Sequence, residues 1–308
     1  MDQTNKITEG NLEKIFDNNP RLVKTPTFIF KDNQWQEIKI TNIPILKEDE
    51  ICFLTYNIWF GKHNFQNRIK EISNILEKYS PDFICLQEVT QTFLDYIKDK
   101  KFIQDNYCYS GNLTGYYDVL ILSKHQVNFY FRKFNSNQSR KLLTCETFYS
   151  SNSKSDNNMK SLVISTTHLE SLIENTKYRQ EQLKVIFDLL KTCENCFTMG
   201  DFNYDPSSKE EVEIYKDKYN DLFSIWKEKY NLTEEDGYTR PPQKTKQVRF
   251  DRLIFCKNEN LELSEFSVIG KDPIEQDVDV GDDKELMKES IITTPSDHYG
   301  LYAKFTLK

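Results

Sequence analysis

Five short runs rich in β-branched and aromatic residues each end on polar or charged groups: Thr55-Tyr56-Asn57, Phe83-Ile84-Cys85-Leu86-Gln87-Glu88, Thr167-His168-Leu169-Glu170-Ser171, Gly200-Asp201-Phe202-Asn203 and Ser296-Asp297-His298. Short apolar runs of this kind, bounded by turn residues, read as buried strands. A chain that repeats the pattern is expected to assemble a site from strand ends, where acids, amides and imidazoles meet solvent.

The body must bury a core around those strands. Hydrophobic residues make up only 38% of the 308 positions, but 21 phenylalanines and 17 tyrosines compensate, because each aromatic ring buries a large area. A net charge of -7 removes any overall basic footprint, so contact with nucleic acid has to be local. The seven cysteines are odd in number and scattered, several inside apolar runs, which fits a reduced, intracellular chain. Cys193-Glu194-Asn195-Cys196 has metal-ligand spacing but no second pair. Met1 to Lys6 lacks the apolar centre of a signal peptide, and no run approaches the roughly 18 residues needed to cross a bilayer. The expected location is nucleus or cytoplasm, and nothing requires more than a monomer.

Along the chain, residues 1–45 read as a polar tail, with a short helix around Leu12 to Phe16, and an accessory hairpin turning at Lys31-Asp32-Asn33-Gln34; residues 46–308 read as one domain. A strand from Ile51 to Asn57 opens that domain. Ile69, Ile72, Leu76 and Tyr79 then recur at helical spacing. Thr90 can cap a second helix, and strands are expected at 116–123, 127–133, twice within 135–160, and at 162–167. A helix is expected over 175–191, a strand over 195–199, one or two surface helices within 207–230, and strands over 247–256 and 299–307. Residues 150–158 read as a surface loop. Residues 271–289, with eight acids against three lysines, read as a solvated excursion. Strands outnumber helices, and GxGxxG and Walker loops are missing. The fold class is α/β: a sandwich of two packed sheets with helices outside.

The polar strand ends supply Asn57, Glu88, His168, Asp201, Asn203, Asp251, Asp297 and His298. Oxygen ligands dominate, and such a set suits a hard cation that keeps waters and substrate phosphate oxygens. A phosphate ester is the natural partner, because the charge that develops on its oxygens can be met by a dication, an imidazolium and an amide. Taken singly, Glu88 could be a solvated strand terminus, Gly200-Asp201-Phe202-Asn203 a turn, and Asp251 between Arg249 and Arg252 a surface ion pair. The joint pattern favours chemistry.

Thr55-Tyr56-Asn57-Ile58, Leu86-Gln87-Glu88-Val89, Thr167-His168-Leu169-Glu170-Ser171, Gly200-Asp201-Phe202-Asn203, Arg249-Phe250-Asp251-Arg252 and Ser296-Asp297-His298-Tyr299-Gly300-Leu301 resemble, in order, the motifs of the endonuclease/exonuclease/phosphatase superfamily. His168 to Ser171, Gly115-Tyr116-Tyr117 and Arg249 to Arg252 bring the chain nearest to its tyrosyl-DNA phosphodiesterase 2-like branch. The resemblance implies a four-layer α/β sandwich of two mainly antiparallel sheets flanked by helices. It implies Mg²⁺- or Mn²⁺-dependent phosphodiester hydrolysis by an in-line water. Glu88 would be the main metal ligand, helped by Asp297, with Asn57 fixing a neighbouring ligand or phosphate oxygen. Asp201 would orient and deprotonate the water, Asn203 would hold a nonbridging oxygen, and Asp251 would keep His298 protonated. His168 and Tyr116 would stabilise phosphate charge. The implied substrate is a nucleic-acid 5′ end carrying a protein or peptide adduct, released to leave a 5′ phosphate in DNA repair.

The chain departs from that pattern in three places. Trp59 stands where many relatives carry an acid, Asp205 stands near an expected basic residue, and Arg240 replaces an expected aromatic. Arg140 and Arg240 are candidate substrate contacts. An RNA or phospholipid ester on the same core is the alternative substrate, favoured if Trp59 and Trp35 stand exposed at a rim. A noncatalytic binding module is the remaining reading, and intact Glu88, Asp201, Asn203 and His298 weigh against it.

Overall fold

The computed structural model describes residues 12, 14–15, 19–43, 45–111, 113–150, 159–205, 207–242, 247–276 and 293–308. Expectations about the first eleven residues, the loop at 151–158 and the acidic stretch from 277 onward lie outside the described residues. One sheet runs β1 (Val23–Thr25), β9 (Phe129–Lys133), β10 (Lys141–Ser150), β11 (Met159–His168), β12 (Cys196–Asp201), β14 (Asp251–Cys256), β13 (Tyr219–Asp221), with β4 (Ile45–Leu46) also paired to β10. The other runs β15 (Leu261–Ile269), β16 (Gly300–Leu307), β5 (Glu50–Asn57), β6 (Phe83–Val89), β8 (Asp118–Ser123), β7 (Cys108–Ser110), β2 (Thr27–Lys31), β3 (Gln34–Ile38). Three pairings are parallel, β5 with β6, β11 with β12 and β4 with β10; the rest are antiparallel. The helices are α1 (Phe65–Tyr79), α2 (Gln91–Lys98), α3 (Lys101–Asn106), α4 (Thr176–Leu190), α5 (Lys209–Val212) and α6 (Leu222–Tyr230).

Strand alternation sorts the layers. In β5, Ile51 and Phe53 face the other sheet, whereas Leu54 and Tyr56 pack under α1 to α3 with Ile69, Ile72, Leu76, Phe93 and Ile97. β6 divides the same way, Phe83 and Cys85 inward and Ile84 and Leu86 outward. Aromatic rings join the two sheets: Phe53 lies 4.4 Å from Phe197, Phe197 4.8 Å from Phe305, and Phe305 5.0 Å from Phe255 between ring centroids. On the far face of the first sheet, α4 buries Leu183, Ile186 and Leu190. The four-layer sandwich expected from the motifs is the fold observed.

The 27–38 hairpin forms, with Asp32 and Asn33 both at positive φ as a tight two-residue turn requires. It is no free-standing ribbon: Thr27 and Phe28 pair with Ser110 and Tyr109, making the hairpin the edge of the second sheet. Thr90 caps α2 by accepting from the Phe93 amide. Two strands start later than expected. β8 begins at Asp118, leaving Tyr116 and Tyr117 in a bend, and β14 begins at Asp251. β15 was not expected at all. Its register slips between Leu263 and Glu265, and that bulge breaks the alternation a reader would look for. The seven cysteines are free thiols.

Candidate active site

Parallel pairing of β5 with β6, and of β11 with β12, points four strand ends the same way. Asn57, Glu88, His168 and Asp201 therefore reach one edge of the sandwich. Asp251 joins them from the opposite chain direction, because β14 is antiparallel to β12 and opens directly across from Asp201. His298 arrives just before β16, whose Leu301 pairs with Thr55. Ser296 anchors that approach by donating to the Asn57 carbonyl at 2.6 Å and accepting from the His298 amide at 3.2 Å. Gly200 allows the close approach of β11 and β12 beneath the site. At φ 137°, a Cβ there would fall 2.0 Å from the Thr167 carbonyl oxygen.

Simple alternation would point Glu88 outward with Leu86. Instead Glu88 has φ 60°, and the register against β8 slips between Leu86 and Val89. This bulge turns its carboxylate inward, a strained arrangement that costs on the order of 1–3 kcal/mol and clusters at functional sites. One oxygen accepts from the Asn57 amide at 3.1 Å and the other from the Phe60 N–H at 3.0 Å. Burial, and then the nearby Asp297 charge, push the carboxyl up to about 7 against those hydrogen bonds. The preceding Gln87, fully buried, donates across the interface to Thr166 Oγ1 on the other sheet at 2.9 Å.

Asp201 is where the two sheets converge chemically. Its Oδ2 accepts from Asn57 Nδ2 at 3.0 Å and lies 3.3 Å from His168 Nε2 and 3.7 Å from His298 Nε2. Its Oδ1 accepts from the Asn203 amide at 2.9 Å. Asn203, at φ 54°, spends one side-chain N–H on the Leu169 carbonyl, which leaves a second for a ligand.

The two imidazoles differ in what stands behind them. His298 Nδ1 lies 2.8 Å from Asp251 Oδ2. Burial pulls its basicity down, but Asp251 and then Asp201 hold it well above the ordinary imidazole range. Burial raises Asp251 in turn, with His298 opposing, so the two titrate as a pair with the proton on the ring. Thr239 Oγ1 steadies this end by accepting the Phe250 and Asp251 amides. His168 Nδ1 instead lies 2.8 Å from Arg140 Nη1. A guanidinium only donates, so Nδ1 must carry the lone pair and the proton sits on Nε2, facing Asp201. Burial, then the Arg140 charge, then His298 pull this ring well below the ordinary range. One imidazole is a cation and the other a neutral donor.

The remaining candidates separate. Arg140 is 5% exposed and also donates to Ser171 and Gln138, so it backs His168 from inside the protein. Tyr116 is 64% exposed and touches Phe60 edge-on. Its neighbour Tyr117 is nearer the chemistry, stacked on Phe60 at 4.7 Å and 6.2 Å from the His168 ring. Arg240 lies over Phe250 on the other flank. Sequence reasoning missed Arg68, which is fully buried and donates to the carbonyls of Ile58, Trp59, Gly61 and Pro295. It pins the loop after Asn57 to the loop before Asp297. The available signal was its place one residue before Ile69, on the buried face of α1. Trp59 lies over this guanidinium at 4.2 Å and is half-buried rather than standing fully exposed.

Asp201, Asp251 and His298 offer ligand atoms within 4.8 Å of one another, but a protonated His298 donates rather than ligates. The set that fits a hard dication is Glu88 with Asp297, two carboxylates close enough for one charge to raise the other.

Residues 54–298 match the sequence model of the Endonuclease/Exonuclease/phosphatase family. Tyrosyl-DNA phosphodiesterase 2 of Xenopus tropicalis is 25% identical over 281 residues, covering 85% of this chain and 68% of the relative. That of Bos taurus is 27% identical over 265 residues, covering 81% and 66%. The chain thus spans about two thirds of the length of these relatives. The crystal structure of D. rerio TDP2 complexed with single strand DNA product superposes with a TM-score of 0.64 at 20% identity, covering 84% of this chain and 99% of that one.

Proposed function

The chain belongs to the endonuclease/exonuclease/phosphatase family, and from that premise we propose that it is a metal-dependent phosphodiesterase that frees DNA 5′ ends of phosphotyrosyl or similar adducts, leaving a 5′ phosphate. Among its relatives are enzymes named for tyrosyl-DNA phosphodiester cleavage, and a related fold was solved with a single-stranded DNA product. The observation that carries the reading is the Asp201 carboxylate, faced by Asn57, His168 and His298 from both sheets.

Glu88 and Asp297 would hold the cation, Mg²⁺ or Mn²⁺, which when bound would offset charge on a phosphate oxygen. Asp201 takes a proton from the attacking water, and Asn57 holds that carboxylate beside Glu88. His298, charged by Asp251, donates Nε2–H to the oxygens where charge grows. His168 donates from the other side as a neutral ring. The free N–H of Asn203 suits a nonbridging oxygen. A tyrosyl leaving group, with a phenol pKa of about 10, departs without a strong general acid. This explains how a site with one cationic imidazole suffices. Among the described residues no helix is long and apolar enough to cross a membrane, and we place the activity in nucleus or cytoplasm, carried by a monomer.

The test is hydrolysis of a single-stranded oligonucleotide bearing a 5′-phosphotyrosine, with Mg²⁺ or EDTA, beside the Asp201→Asn protein. Release of tyrosine by the parent protein alone, and only with metal, is expected. No release, with bis-nitrophenyl phosphate still cleaved, would move the substrate to RNA, a phospholipid or another ester.

A further inference from the structure

Two residues beyond His168, Glu170 is 0% exposed, a burial that glutamate almost never tolerates without a pairing cation. The donors that meet its carboxylate are all neutral. Oε2 accepts from Ser136 Oγ at 2.6 Å and from Gln182 Nε2 at 3.2 Å, and Oε1 accepts from the Asn137 amide at 2.9 Å. The chemistry derived above gives this buried acid no step.

What Glu170 fastens is the turn that delivers Arg140. The turn closes with the Phe134 amide donating to the Arg140 carbonyl at 3.0 Å and carries Ser139 at φ 59°, a left-handed conformation that is costly for serine. Ser136 is its clasp. A hydroxyl has one proton and two lone pairs: here the proton goes to Glu170, and the lone pairs take the Gln138 amide at 3.0 Å and the Arg140 amide at 2.9 Å. Gln138 Oε1 in turn accepts from Arg140 Nη2 at 3.1 Å and from the Ser171 amide at 2.8 Å. The guanidinium depends on this scaffold, because its Nε is buried without a hydrogen-bond partner among the described residues while its Nη1 meets His168.

We propose that Glu170 is a positioning residue for His168: its carboxylate orients Ser136, Ser136 sets the turn, and the turn aims Arg140 so that His168 stays the neutral Nε2–H donor toward Asp201. A carboxylate is required because three donors converge on it. Glutamine offers a single acceptor oxygen. Its NH₂ would either oppose the Asn137 N–H or turn to Ser136 and occupy a lone pair that now holds a backbone amide. Only the kinetic consequence rests on the DNA-end reading above; the state of the ring does not.

The experiment records long-range ¹H–¹⁵N spectra of His168, and kcat on the 5′-phosphotyrosyl oligonucleotide, for the parent protein, Glu170→Gln, Arg140→Met and the double variant. The parent should show a fixed Nε2–H pattern, and Glu170→Gln should populate both tautomers. Turnover should fall about fivefold in Glu170→Gln, the scale of one neutral hydrogen bond. The double variant should be no slower than Arg140→Met alone, since residues that act through one path do not add. Melting temperatures run alongside, and if Glu170→Gln fails to fold, Ser136→Ala takes its place with the same mixing of tautomers expected. A fixed Nε2–H ring in the folded variant would overturn the inference. So would losses that multiply in the double variant. Mixed tautomers in a protein that cleaves no phosphotyrosyl end would uphold the positioning role while the DNA-end reading fails.

Discussion

His168 and His298 are the same side chain facing the same carboxylate, yet one is a neutral donor and the other a cation. The difference lies behind the rings. The first sheet backs His168 with Arg140, whose N–H forces the Nε2–H tautomer, whereas β14 backs His298 with Asp251, which stabilises the imidazolium. An imidazole near its ordinary range is poised for either state, so one buried partner decides it. The site gains a positive charge on one side only, and Asp201 lies between the rings, 3.3 Å from His168 Nε2 and 3.7 Å from His298 Nε2.

The largest effect should come from removing what the two rings share. Asp201→Asn keeps the shape and removes the base, so turnover should fall at least ~10²-fold in steady-state assays; an unaltered kcat would end its role. Asp251→Asn attacks only the cationic side. Loss of a charged hydrogen bond worth roughly 2 kcal/mol corresponds to about thirtyfold, and the ¹⁵N spectrum of His298 should report a ring that loses its proton at lower pH. An imidazolium persisting in that variant would show that Asp201 alone sustains the charge. Arg140→Met attacks the neutral side and should cost about fivefold, the scale of one neutral hydrogen bond. There the decisive readout is again ¹⁵N NMR: His168 should populate both tautomers and titrate nearer the ordinary range, and a fixed Nε2–H pattern would break the comparison. The smallest effect tests the carboxylate beside His168. Glu88 is raised from 4.5 to about 7, so between those pH values the metal-free folded protein binds a proton that the unfolded chain has lost. Its stability should therefore decline as pH rises through that window. If Glu88 holds the cation as proposed, Mg²⁺ would take the proton's place, and the gain in Tm on adding it should be a few degrees larger at pH 8 than at pH 5. Glu88→Gln should flatten that difference.

These contrasts were only partly legible in the residues. Asn57, Glu88 and Asp201 announced themselves because each lies at the end of a run of strand-forming residues, and His298 because it stands just before one, and the sandwich followed from strand count and alternation. Glu88 was legible as a position but not as a direction, since a bulge with φ 60° reverses the parity that alternation predicts. Arg140 read as a candidate substrate contact and not as the support of His168, because the ring it serves is 28 residues away in sequence. Tyr116 came from the resemblance alone; the strand expected to begin there starts at Asp118, which leaves Tyr116 exposed and places the Tyr117 ring 6.2 Å from that of His168. β15 escaped because its own bulge interrupts the period. Long-range pairing and local breaks in periodicity are what a linear reading lacks.

Asn57 sits in one sheet and holds carboxylates from both, Glu88 beside it and Asp201 opposite. Turnover is therefore a gauge of how well the two halves of the sandwich are docked. Loosening the aromatic layer of Phe53, Phe197 and Phe305 would separate Asp201 from Asn57 before either sheet lost its own hydrogen bonds. On gentle heating, activity should vanish at a temperature where the circular dichroism of the strands is still intact.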